Sequence, residues 1–169
     1  GSYVENNIVC DHDVVGSDGI GAHAAIAFTI GYNAFDGNAV ANTNALITSQ
    51  YEQLGDPRFT DAAAGDFTLL YDSPCIETGN PATAVPPNGG WRVDIGAFEY
   101  TGTRHWRAIG GAGEYLFGGR VKAKVNLTDP GTLTAIDMLV HPGEQHPLAP
   151  NGVQRYYTID PTGEVVLFD

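Results

Sequence analysis

The chain has 169 residues, enough for one domain or two small ones, and its 43% hydrophobic content excludes wholesale disorder. Its 22 glycines and 10 prolines point to short strands and turns and away from a helical bundle. A net charge of −12 makes nucleic acid a poor partner, and no apolar run is long enough for a membrane-spanning helix.

Taken in chain order, Asn6-Asn7-Ile8-Val9-Cys10-Asp11 resembles Tyr32-Asn33-Ala34-Phe35-Asp36-Gly37 at an offset of 26 residues. A repeat of that length suggests stacked coils, in which an Asn at the same place in successive coils bonds the backbone above and below. Between the two copies, Ile20, Ala22, Ala24, Ile26, Phe28, Ile30 and Tyr32 alternate with small residues, the pattern of a strand covered on both faces. The one helical stretch, Asp61-Ala62-Ala63-Ala64-Gly65, is short and ends in Gly. In the block that follows, Phe67 and Leu69 are expected to point inward, and Trp91, Val93 and Ile95 to share a strand.

The block Gly55-Asp56-Pro57-Arg58-Phe59-Thr60-Asp61-Ala62-Ala63-Ala64-Gly65-Asp66-Phe67-Thr68-Leu69 is followed by Ser73-Pro74-Cys75-Ile76-Glu77-Thr78-Gly79-Asn80-Pro81 and by Asp94-Ile95-Gly96-Ala97-Phe98-Glu99-Tyr100. This three-part order resembles the C-terminal end of secreted right-handed parallel β-helix proteins of the choice-of-anchor Q type. The resemblance covers roughly residues 50–100, and 3–49 are consistent with preceding coils. It implies a β-helix whose last coil is closed by residues 50–100, on a secreted or cell-surface bacterial protein. Glu77 departs from the family pattern, which carries Asp there, and its longer arm leaves a tight turn bond at that place in doubt.

After Tyr100 the pattern changes. Val121, Ala123, Val125 and Leu127 alternate with Arg120, Lys122, Lys124 and Asn126, a half-buried antiparallel strand. Asp129-Pro130-Gly131 reads as a turn, and Thr134, Ile136, Met138 and Val140 as the next strand. Pro142, Pro147 and Pro150 mark a long loop. Two last strands, Val153 to Ile159 and Glu164 to Phe168, flank an expected turn at Asp160-Pro161-Thr162-Gly163. The expected fold is all-β: terminal coils and cap of a right-handed parallel β-helix over residues 1–102, then a partial antiparallel β-sandwich over 103–169. About two coils and four or five sandwich strands are visible, so the chain reads as part of a longer protein or as a subunit completed by another chain.

Asp11, Asp13 and Asp18, set among glycines, are candidate calcium ligands, although their spacing is not that of an EF-hand; the alternative is a solvated turn. No other cofactor is expected. Cys10 and Cys75 either form one disulfide, as an even count in a secreted chain allows, or stay buried thiols. Trp91, Trp106 and Tyr115 are candidates for stacking on sugar rings or for an interface between modules. No histidine pair has a zinc spacing, no nucleophile elbow exists, and both lysines lie outside the coils. The leading expectation is therefore a non-catalytic secreted or cell-surface structural or adhesion module. Its partners would be polysaccharide, or other copies and segments of a larger surface protein. One alternative is the tail of a polysaccharide lyase or glycoside hydrolase with catalytic coils upstream. Another is a self-assembling extracellular filament or layer subunit completed by strand exchange.

Overall fold

A computed structural model describes residues 3–12, 14, 18–22, 28–39, 41–44, 46–87, 89–142 and 155–163. The described chain is all-β; its only helical piece is a single 3-10 turn at Ala62–Ala64. Asp61 caps that turn by accepting from the Ala64 amide, and Gly65 ends it at φ 81°. Three alanines between an Asx cap and a left-handed glycine cannot extend further. No helix among the described residues is long and apolar enough to cross a membrane.

The first strands, β1 (Ile8–Cys10), β2 (Phe28–Gly31), β3 (Ala34–Asp36), β4 (Ile47–Gln50) and β5 (Gln53–Leu54), form two parallel sheets. One has the order β1-β3-β5 and the other pairs β2 with β4. Ile8 stands opposite Ala34, so the 26-residue repeat is the register of the first pairing. The next offset is shorter: Ala34 pairs with Gln53, 19 residues on. Alternation decides which side chain goes to which face. Val9 and Phe35 pack with Ile30 and Ile47 of the other sheet, and Phe35 is fully buried. Ile8 and Ala34 face the opposite way, against Leu69, Cys75, Ile76 and Ile95. Both faces are thus covered, as parallel sheets require. Burying a side chain the size of Phe35 contributes on the order of 2–3 kcal/mol.

The corners of the first sheet repeat. Asn6, Tyr32 and Tyr51 occupy equivalent places and all adopt left-handed backbone, at φ 59°, 55° and 58°. Asp11 and Gly37 do the same at the other end of their strands, at 56° and 61°. Asn33, fully buried, joins two passes of chain. Its Oδ1 accepts from the Asn7 amide at 3.0 Å, and its Nδ2 donates to Val4 O at 2.9 Å and Gly31 O at 3.1 Å. Asn38 and Asn44 act similarly, donating to Val9 O and Ala22 O.

Residues 59–100 lie along the outward face of β1-β3-β5. They begin as a hairpin, β6 (Phe59–Asp61) with β7 (Asp66–Leu69), and continue as successive turns. Leu69 is buried as expected, but Phe67 is 49% exposed, because its place in the hairpin puts it edge-on to Phe59 at the surface. Trp91 to Ile95 is not a strand. Val93 and Ile95 are buried, yet Asp94 turns its carboxylate onto backbone amides and Gly96 takes φ 121°, so no pairing partner is met. Leu54, on the outer strand β5, and Tyr51, at the corner before it, are each 66% exposed, so this segment leaves them open.

The remaining strands are β8 (Arg104–Ala108), β9 (Gly113–Phe117), β10 (Ala123–Leu127), β11 (Ala135–Pro142) and β12 (Arg155–Thr162). All pair antiparallel, as β9-β10 and as β12-β11-β8. Phe117 and Val121 share one apolar cluster with Ile136, Met138 and Val140. The expected turn at Asp160–Gly163 is instead strand as far as Thr162, with Pro161 opposite Ile136. Proline is tolerated because β12 is an edge strand among the described residues, where a missing N–H need not break a ladder. Pro147, Pro150 and the strands expected at Val153–Gln154 and Glu164–Phe168 lie outside the described residues. Across residues 102–103, Gly102 O accepts from Arg120 N, and Tyr71 O from Trp106 N.

Candidate functional site

Two groups of side chains stand out chemically. The first is a set of acids, Glu77 and Asp94 buried and Glu99 half-buried, between the two parts of the chain. Glu77, only 2% exposed, accepts from the Trp91 amide with both oxygens, at 2.9 and 2.8 Å, and from the Arg92 amide at 2.7 Å. Asp94 accepts from the Glu77 amide at 2.7 Å and the Tyr100 amide at 2.6 Å. Glu99 Oε1 accepts from the Asp94 amide at 3.2 Å. Burial raises all three carboxyls, with Asp94 pushed up to about 7 despite its two amide donors. Glu77 fits a slot that only glycine permits: a Cβ on Gly90 would lie 1.3 Å from its Oε1, and one on Gly118 would lie 2.6 Å away. The longer arm of Glu77 therefore makes no tight turn bond; it reaches amides 14 and 15 residues ahead. Beside it, buried His105 accepts at Nδ1 from the Gly118 amide at 2.7 Å. Burial, followed by the nearby Arg107, pushes its imidazole down to about 3.

Such perturbed carboxyls often mark catalysis. Here both oxygens of Glu77 and of Asp94 hold main-chain amides. They satisfy an irregular backbone that has no strand partner.

The second group is a shallow groove of about 170 Å³ lined by Tyr3, Glu5, Thr29, Tyr32, Gln50 and Tyr51, with Val4, Ile30 and Gly31 beneath. The corner register stacks Tyr51 on Tyr32, with ring centroids 4.7 Å apart and planes 11° from parallel. The Arg92 guanidinium sits 5.2 Å from the Tyr32 centroid and donates to Gly79 O and Thr78 O. In the sequence Tyr32 stands out only as a member of the repeat and of the alternating run, and neither it nor Tyr51 is a candidate site residue. The signal was there, as the residue preceding Asn33 and its ladder equivalent Glu52.

The sequence candidates are placed as follows. Among the described residues no group of three His, Cys, Asp or Glu is gathered to hold a metal ion. Asp11 closes the left-handed corner beside Gly37, Asp18 lies near Gly21, and Asp13 is outside the described residues. Cys10 and Cys75 stand as free thiols. Cys75 is fully buried, and burial pushes its thiol up to about 12. Cys10 is half-buried; burial and then Asp11, Asp36 and Asp56 raise it as well.

The three aromatic candidates do different things. Trp91, 43% exposed, carries the ammonium groups of Lys124 and Lys122 at 4.9 and 5.5 Å from its ring centroid. Trp106 lies half-buried in β8 opposite Asp137. Tyr115 packs on the cluster of Phe117 and Val121, while its hydroxyl accepts from the Gly110 and Gly111 amides and donates to Gly111 O. No family model, curated protein or solved structure matches the chain.

Proposed function

We propose that this chain is a non-catalytic structural or adhesion module of a secreted or cell-surface protein. In this reading, residues 1–102 are terminal coils of a parallel β-helix with its closing segment, and residues 103–169 are part of a β-sandwich. The parallel pairings with repeating left-handed corners support the first part, and the shared core of two antiparallel sheets supports the second. One observation carries the non-catalytic reading. The buried acids Glu77 and Asp94 each use both oxygens to hold backbone amides, so these carboxylates are engaged in supporting the irregular main chain of the closing segment. Incubation with a panel of neutral and acidic polysaccharides tests it. No new reducing or unsaturated ends should form, and their release would overturn the reading.

A further inference from the structure

We propose that the groove crossing Tyr3, Tyr32 and Tyr51 is a binding site for a neutral pyranose polymer. This rests on the reading above in one respect: the site holds a glycan and does not cut it.

The Tyr51 ring is 66% exposed, yet it is backed by Tyr32, which in turn carries Arg92. An aromatic face held rigid on one side and open on the other suits the C–H face of a sugar ring, with little conformational entropy left to lose on binding. Tyr3, 77% exposed, borders the same groove. A sugar also needs hydroxyl partners. Gln50 and Thr29 are exposed groove residues, and no hydrogen bond engages either side chain among the described residues.

Charge selects the class of polymer. The chain carries −12, and Glu5 lines the groove beside Tyr51 and its neighbour Glu52. The nearby cation, Arg92, is turned onto carbonyls of Gly79 and Thr78. A polyuronate would meet repulsion without a compensating donor, whereas an uncharged polymer would not.

Affinity electrophoresis in gels containing xylan, mixed-linkage β-glucan, galactomannan or polygalacturonate tests the site. The wild-type chain should be retarded by at least one neutral polymer and not by polygalacturonate. Tyr51→Asn should lower that affinity by roughly tenfold or more, the loss of one good contact. Asn already occupies the equivalent left-handed corner at Asn6, so this variant is suited to fold, and an unchanged urea midpoint would verify that. Tyr51→Phe should keep binding, because the ring face is what matters. Tyr157→Ala, at a 40% exposed tyrosine on β12, should behave as wild type. The proposal is overturned by absence of retardation in every neutral gel, by binding to polygalacturonate alone, or by a Tyr51→Asn variant that binds as wild type. It is also overturned if Tyr51→Asn changes only the sedimenting mass, which would make the ring a contact between copies. Assay of the same polymers for reducing ends separates the two ideas: cleavage overturns the non-catalytic reading, whereas loss of retardation alone overturns only the site.

Discussion

In β1, β3 and β5 the backbone meets its hydrogen-bonding needs by pairing with the next pass of chain, and buried asparagines such as Asn33 bridge the corners. Among the described residues between Ser73 and Tyr100 the chain pairs with no strand, and Glu77, Asp94 and Glu99 take the place of a ladder. The neutral amide of asparagine both donates and accepts, so it links passes without burying charge. The carboxylates only accept, and they carry a charge into a dry site, which raises their pKa values. The ladder should therefore be indifferent to mild pH changes, whereas the acid-held segment should respond to them.

The largest expected effect comes from closing the Glu77 slot. Gly90→Ala forces the carboxylate out and leaves the Trp91 and Arg92 amides unpaired, at a cost of roughly 3–5 kcal/mol in urea unfolding. In the ladder, Asn33→Ala should cost about 2–3 kcal/mol, because Val4 O, Gly31 O and the Asn7 amide lose a partner together. Asn33→Asp should be no milder, since a carboxylate cannot donate to those carbonyls.

The pH response sharpens the contrast further. Asp94 has a folded value of about 7 against an ordinary 3.8, so its contribution is greatest at low pH and is lost as pH rises from 3.8 to 7. His105 has a folded value of about 3 against 6.5, so its contribution is complete above 6.5 and is lost as pH falls toward 3. The two slopes oppose each other between 3.8 and 6.5, where the raised carboxyls of Glu77 and Glu99 act in the same sense as Asp94. His105→Gln, which keeps an acceptor for the Gly118 amide, should be more stable in urea at pH 4 than at pH 7. Asp94→Asn should show the reverse trend; two curves of the same slope would refute the assignment. The smallest effect is Trp91→Ala: its ring meets Lys122 and Lys124 at the surface, and its loss should cost about 0.5–1 kcal/mol.

The same contrast governs what the sequence made legible. The all-β class, the 26-residue spacing and the Asp61–Gly65 turn were readable because periodicity and capping are local signals. Trp91 to Ile95 carries the alternation of a strand, but Asp94 and Gly96 turn it, and the amides that hold it lie far away in sequence. Asp160-Pro161 has turn chemistry, and only its place on the edge strand β12 explains why it stays extended. The tyrosine groove was missed because Tyr32 and Tyr51 meet through a 19-residue offset unlike the first one.

The corners at Asn6, Tyr32 and Tyr51 hold equivalent places in the ladder although one interval is 26 residues and the other 19. Alignment is thus set at the bends, while the length of what hangs between them can vary. A change in the number of residues between two bends therefore need not move the pairing on either side of it.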